Sequence, residues 1–213
     1  KNDEKDRYCI QLYDKVVNSI KLEDKKILEV GCGRGGGASY IARYFKPKVF
    51  VGMDNAKAEI KFDKNYYHVK NLKFIYGDAM NIPFKENNFD ILLNVESSHG
   101  YVHFEKFLKE VKRVLKPTGY FLFADFRNEK SIKTLINSLC MSGMKVIKKE
   151  DISRNVFHAL NFDNERRIKL IYKYLPRFLH RWGRQFVGIR DSKLYNSFGN
   201  RKRKYFYFIL QKD

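Results

Sequence analysis

Acidic residues, cysteine, proline and long apolar runs are all scarce in this chain, and each scarcity bears on what it can be. Only 24 Asp+Glu stand against 43 Lys+Arg, a formal net charge of +19. The excess is uneven. Residues 1–140 hold 25 Lys+Arg and 18 Asp+Glu, whereas residues 141–213 hold 18 and 6. Such a surface attracts nucleic acid, an anionic membrane or an acidic substrate, but it does not name a reaction. The three cysteines, Cys9, Cys32 and Cys140, show no CxxC spacing. That argues against a disulfide framework or a zinc site and suits a reducing, cytoplasmic setting. No metal is expected, because no His/Asp/Glu cluster has ligand spacing. Four scattered prolines leave no Pro-rich linker. No apolar run approaches the roughly 18 residues of a membrane span. The start carries no signal-peptide pattern, and Lys1 in place of Met implies a short natural segment ahead of it.

The pattern itself is that of an α/β protein. The 213 residues suit one domain with a sizeable core. Short apolar runs alternate with longer amphipathic ones, as in βαβ units with a parallel sheet. Strands are predicted at 26–30, 49–53, 72–76, 89–95, 120–126 and 145–149, with a last one at 205–210. Helices are predicted at 4–20, 38–44, 104–115 and 131–141. The helix at 104–115 is stopped by Lys116-Pro117-Thr118-Gly119. Residues 163–182 have helical spacing with a kink at Pro176. A final strand beside 145–149 would make seven strands, one of them antiparallel.

The first motif is Gly31-Cys32-Gly33-Arg34-Gly35, preceded by a strand and followed by a helix. Glycine permits the tight turn and the close approach of a ligand, and the helix N-terminus offers unpaired amides. No GKS or GKT follows, so this is not a P-loop. Asp54 lies 21 residues past Gly33, at the end of the second strand, where its carboxylate can accept from both hydroxyls of a ribose. That feature fits NAD and S-adenosylmethionine equally. Two details favour the methyl donor. Glu29, inside the first strand, would face the amino group of that cofactor and would repel a pyrophosphate. Asp78, in Gly77-Asp78-Ala79, can accept from the adenine amino group.

Taken in order, LEVGCGRGG, VGMD, GDAMNIPF, FDILLNVESSH and LKEVKRVLKPTGYFLFADF resemble the motifs of class I S-adenosylmethionine methyltransferases over residues 27–126. The resemblance implies an α/β fold: a Rossmann-like seven-stranded, mostly parallel sheet with helices on both faces. It also implies S-adenosyl-L-methionine as cofactor, with contacts at Glu29, Gly31, Gly33, Asp54, Asn55, Asp78, Ala79 and Asn94. A narrower similarity, through Gly33–Gly37 and Asn94–His99, is to the phthiotriolone and fatty-acid O-methyltransferase group. Sterol and tocopherol methyltransferases are more distant.

Ligands of open α/β sheets bind beyond the carboxyl ends of the strands. Glu96, Ser97, Ser98, His99 and Tyr101 follow the fourth strand and should lie there. An oxygen nucleophile must lose a proton during transfer, and histidine is suited to take it. His99 is therefore the candidate base. Glu96 is the second catalytic candidate, to bind the cofactor's methionine part, orient His99 or act on the substrate. The expected organisation is a single methyltransferase domain. It comprises an N-terminal helix (1–25), a cofactor-binding core (26–152), a C-terminal helical lid insertion rich in apolar and basic residues (153–200) and a final strand (201–213). The expected reaction is O-methylation of a hydrophobic, acidic acceptor of fatty-acid or polyketide type, with peripheral contact to an anionic membrane. Carbon or nitrogen methylation of a sterol, quinone precursor or amine is the first rival. RNA methylation ranks behind it, because no NPPY-type motif follows the fourth strand.

Overall fold

Five short runs rich in Val, Ile, Leu and Phe build the parallel part of the sheet. In the computed structural model, which describes residues 3–213, they are β1 (Lys26–Val30), β2 (Val49–Asp54), β3 (Leu72–Tyr76), β4 (Phe89–Val95) and β5 (Leu115–Asn128). Lys1 and Asn2, the start of the predicted 1–25 segment, lie outside the described residues. β1 and β4 are buried along nearly their whole length, so they read as continuous apolar runs rather than alternating ones. β1 pairs in parallel with β2 and β4, β2 with β3, and β4 with β5. With β6 (Lys145–Asp151) and β7 (Arg203–Gln211) the sheet has the order β3-β2-β1-β4-β5-β7-β6. β7 is antiparallel to β5. Thr118 N–H donates to the Lys212 carbonyl at one end, and Glu129 N–H to the Lys202 carbonyl at the other. The final strand therefore lies beside β6, as expected, but it also separates β6 from β5.

The helices are α1 (Arg7–Val17), α2 (Gly36–Tyr44), α3 (Lys57–Tyr66), α4 (Phe104–Val114), α5 (Glu129–Cys140), α6 (Ser153–Phe162), α7 (Asn164–Tyr174), α8 (His180–Phe186) and α9 (Lys193–Gly199). Three differ from expectation for clear reasons. α1 is shorter than 4–20, because a 3-10 turn, Glu4–Asp6, precedes it. α3 was not predicted: it buries only Ile60 and Asp63, too little to show an apolar period. The predicted helix 163–182 is interrupted rather than kinked. Leu175, next to Pro176, is forced to extended geometry (φ −105°, ψ 140°), and Pro176 then starts a 3-10 turn, Arg177–Leu179, that leads into α8. The fifth strand also begins earlier than 120. Leu115 already pairs with Phe89, residues 116–119 bulge out with Thr118 at φ 62°, and Tyr120 resumes opposite Ile91. No helix among the described residues is long and apolar enough to cross a membrane.

The chain divides into two compact units, residues 1–125, 134–150 and 207–213, and residues 126–133 and 151–206. In the first, α4 buries Phe107, Leu108, Val111 and Val114, one stripe at helical spacing. Phe107, Phe121, Phe123 and Phe208 form a chain of ring contacts 5.7–6.3 Å apart. Tyr101 joins that chain edge-on, 5.0 Å from Phe107, which anchors the loop after β4 to the core. Tyr207 donates to the Val16 carbonyl at 3.0 Å and ties the last strand to α1. In the second unit α6 packs on α7 and α9, and α8 on α7 and α9. Burial would raise the Asp163 carboxyl there, but hydrogen bonds from Arg166 and Arg167 outweigh it and hold the group below its ordinary value.

Candidate active site

Parallel strands bring their carboxyl ends to one edge of the sheet, and the loops that follow them meet there. After β1, Gly31, Gly33 and Gly35 have φ of 77°, 53° and 67°, left-handed values that cost glycine little. Gly31 also has no room for a side chain: a Cβ would stand 1.8 Å from Ser97 Oγ. The Gly31 and Cys32 amides donate to the Met53 carbonyl at 2.8 and 3.1 Å. Gly33 N–H donates to Asp54 Oδ2 at 2.9 Å, and Asp54 Oδ1 takes the Ala56 amide at 2.9 Å. Asp54 thus pins the glycine turn to its own loop, and each carboxylate oxygen keeps acceptor capacity for a ligand. Gly31, Asp54, Asn55 and Ala79 line one cleft with Ser97 and Tyr101.

Glu29 and Asn94 stand behind this cleft on neighbouring strands, both fully buried. Glu29 Oε1 accepts from the Tyr13 hydroxyl at 2.6 Å. Burial pushes the carboxyl up to about 7, against the hydrogen bond from Tyr13. Asn94 Nδ2 donates to the Val30 carbonyl at 2.8 Å and to Tyr101 at 3.0 Å. Burial holds the Tyr101 hydroxyl up at about 12, so it stays neutral. Glu29 Oε2 and Asn94 Oδ1 have no donor. An unsatisfied buried acceptor costs about 1–3 kcal/mol. An ammonium group presents the donors these two oxygens lack, so the residues present fit the amino-acid end of S-adenosylmethionine.

Tyr13 was not singled out in the sequence, although a signal for it exists. A Cβ on Gly37 would lie 1.9 Å from Tyr13 Cζ, so Gly37 leaves room for the ring that holds Glu29. Asp63 on α3 was also missed. It is fully buried, neither oxygen has a partner, and burial pushes it up to about 7, with Glu59 and Asp54 adding to the effect. Asp78 is exposed and is not among the residues lining the cleft. Its Oδ1 accepts from the Met80 amide at 2.9 Å and closes a turn.

The loop after β4 carries the two catalytic candidates named from the sequence, Glu96 and His99. Glu96 is exposed and held at φ 51°, a conformation uncommon outside glycine, with its amide donating to the Ala124 carbonyl at 2.8 Å. His99 is exposed in the 3-10 turn Ser98–Gly100. Its Nδ1 lies 3.0 Å from Asp125 Oδ1, and its amide donates to Asp125 Oδ2 at 2.9 Å. Ser98 Oγ donates to the same Oδ2 at 2.6 Å. Asp125, fully buried near the end of β5, was not foreseen. Among the described residues no group of three or more His, Cys, Asp or Glu is placed to hold a metal ion. A larger cavity, about 370 Å³, opens beside the start of β4 and the 116–120 bulge, lined by Lys21, Lys25, Lys116 and Asp90 among others. Asp90 is already engaged there by the Lys26 amide and Lys116 Nζ. Glu29, by contrast, precedes Val30 in β1, Asn94 donates to the Val30 carbonyl and the Tyr101 hydroxyl, and Val30 and Tyr101 both line the strand-end cleft. None of the unsatisfied buried side chains neighbours the larger cavity in this way.

Comparison with known proteins identifies the family. Residues 21–176 match a family described as methyltransferase domain. Over 212 residues the chain is 36% identical to the phthiotriol/phenolphthiotriol dimycocerosates methyltransferase of Mycobacterium tuberculosis, covering 100% of this chain and 78% of that protein. It is 38% identical over 191 residues to the fatty-acid O-methyltransferase of Mycolicibacterium smegmatis, covering 90% and 70%. Two solved structures share the fold. One is phospholethanolamine N-methyltransferase 2 of Haemonchus contortus with phosphomonomethylethanolamine and S-adenosylhomocysteine. Its TM-score is 0.79 at 17% identity, covering 95% of this chain and 53% of that one. The other is geranyl diphosphate methyltransferase with GPP and sinefungin, at TM-score 0.68 and 13% identity, covering 95% and 77%. The chain belongs to the methyltransferase domain family, and it is a methyltransferase that uses S-adenosylmethionine.

Proposed function

We propose that this enzyme methylates an oxygen atom of a hydrophobic acceptor of fatty-acid or polyketide type, in the cytoplasm. The observation that carries this reading is the His99–Asp125 pair, set in the loop whose Ser97 and Tyr101 line the cleft. Bound there, S-adenosylmethionine supplies a methyl group already activated on a sulfonium. Glu29 Oε2 and Asn94 Oδ1 would take its ammonium and Asp54 its ribose hydroxyls, while Asp78, outside the cleft lining, would take its adenine amino group through Oδ2, the oxygen that does not close the turn. The loops at Gly31, Gly33, Asn55 and Ala79 shape the rest of the cradle. An acceptor hydroxyl must give up a proton as it takes the methyl. With Asp125 ionised, His99 Nδ1 carries the hydrogen that faces Oδ1, and Nε2 is left to receive that proton. Asp125 then stabilises the imidazolium. Glu96 serves the same centre, contacting either the cofactor's methionine part or the acceptor.

Three features support a lipid-like, acidic acceptor. The relatives' names point to lipids, residues 141–213 are strongly basic, and segment 153–200 mixes basic with exposed aromatic residues. To that segment we assign contact with an anionic membrane surface. The similarity to a fatty-acid O-methyltransferase favours a second form of the reading. A carboxylate acceptor needs no base, and His99 would then hold it. The test is transfer of labelled methyl from S-adenosylmethionine to a panel containing a long-chain fatty acid, a hydroxylated long-chain polyketide, a sterol, a quinol and an amine. An O-methyl product from either of the first two is expected. Methylation only at carbon or nitrogen would overturn the reading.

A further inference from the structure

We propose that α8 and the turn leading into it form a docking surface for an anionic lipid bilayer. This rests on the reading that the enzyme contacts an anionic membrane surface, and it names the face that does so. The 3-10 turn Arg177–Leu179 runs without a break into α8. Phe178, Trp182 and Phe186 fall at i, i+4 and i+8 along it and form one stripe. They are 82%, 57% and 68% exposed, and the Trp182 and Phe186 rings stack at 5.0 Å. Arg177, Arg181 and Arg184 form the neighbouring stripe, also exposed. None of the three makes an ion pair among the described residues; Arg184 meets only the Tyr172 hydroxyl, at 3.4 Å. From residue 166 to residue 190 there are eight Lys+Arg and no Asp or Glu.

A protein that meets only water seldom leaves such an aromatic stripe uncovered. Large apolar rings beside arginines on one short helix match the two layers of a bilayer interface. The rings enter the headgroup–acyl boundary, and the guanidinium groups reach back to anionic headgroups. Single-stranded RNA also binds aromatic and basic residues, by stacking successive bases on ring faces, but the Trp182 and Phe186 rings already stack on each other, 12° from parallel. Charge complementarity and the apolar stripe together favour lipid.

Trp182 is the sole tryptophan, so intrinsic emission reports on this face without a label. The full chain would be titrated with phosphatidylcholine vesicles and with vesicles containing equal parts phosphatidylcholine and phosphatidylglycerol. We expect sedimentation with the mixed vesicles only, a blue shift of Trp182 emission, and reversal of both by high salt. The triple variant Arg177→Gln/Arg181→Gln/Arg184→Gln should bind on the order of 100-fold more weakly. Phe178→Ser/Phe186→Ser should lose at least about tenfold. Each variant should still bind S-adenosylhomocysteine. If a variant fails to do so, quenching of wild-type Trp182 by brominated lipid decides the matter. Sedimentation without any change in Trp182 emission would move the membrane contact to another face and overturn the proposal alone. No binding to either vesicle would overturn the membrane reading as well. A Trp182 response to single-stranded RNA but not to vesicles would replace lipid with nucleic acid.

Discussion

At the scale of single residues, the site depends on how a few buried carboxylates are shared. Asp125 Oδ1 lies 3.0 Å from His99 Nδ1, and in the proposed reaction it fixes the ring and tautomer of His99. Asp125→Asn should keep the shape and lose the function, lowering kcat about 10²–10⁴-fold while S-adenosylhomocysteine affinity stays unchanged. Steady-state kinetics and calorimetric titration measure the two quantities. In the proposed reading Glu29 takes the cofactor's ammonium, strongly only when ionised, and burial holds its carboxyl at about 7. S-adenosylhomocysteine affinity should therefore fall about tenfold per pH unit below that value and level off above it. Glu29→Gln should flatten that profile. For stability the sign is opposite. Glu29 and Asp63 both have folded values raised to about 7, above their ordinary 4.5 and 3.8. Their neutral forms therefore favour the ligand-free fold, fully at pH below those ordinary values, and that contribution is lost as pH rises through 7. Asp63→Asn should stabilise the ligand-free enzyme above pH 7 by about 2 kcal/mol, read from denaturant melts across pH.

At the scale of elements, α1 acts as a support for the first strand rather than as a lone N-terminal helix. It delivers Tyr13 to Glu29 through the space left by Gly37. Gly37→Ala should displace the ring, costing about 1–3 kcal/mol of stability and weakening S-adenosylhomocysteine binding. Tyr13→Phe keeps the ring and removes only the hydrogen bond. The pH midpoint of cofactor binding should then move upward, a change that a packing defect alone does not produce. Element positions were largely legible in the sequence. β3 and β4 lie where their apolar runs predict, and Lys26–Val30 likewise. α3 was not legible, because its buried face is two residues wide. The break at Pro176 was visible only as a kink; extended geometry at Leu175 makes it a full interruption.

At the scale of the whole molecule, a net charge of +19 works against the folded state through self-repulsion. Raising salt from low to moderate ionic strength should therefore raise Tm, and substituting Arg177, Arg181 and Arg184 together by Gln should reduce that salt response. Differential scanning calorimetry measures both.

The sequence by itself determined what is written in contiguous runs: the strand–glycine–helix turn, the acids at strand ends, the alternation of a parallel sheet, and hence the cofactor. Such features come from local period and local dihedral need, which neighbouring residues encode directly. Tertiary structure alone decided which distant residues share a proton or a carboxylate. His99 meets Asp125 26 positions later, and Tyr13 meets Glu29 16 positions later. β7 enters between β5 and β6 after a helical excursion. Those contacts follow from how strands and helices pack, and packing is set by the whole core rather than by any one stretch of chain.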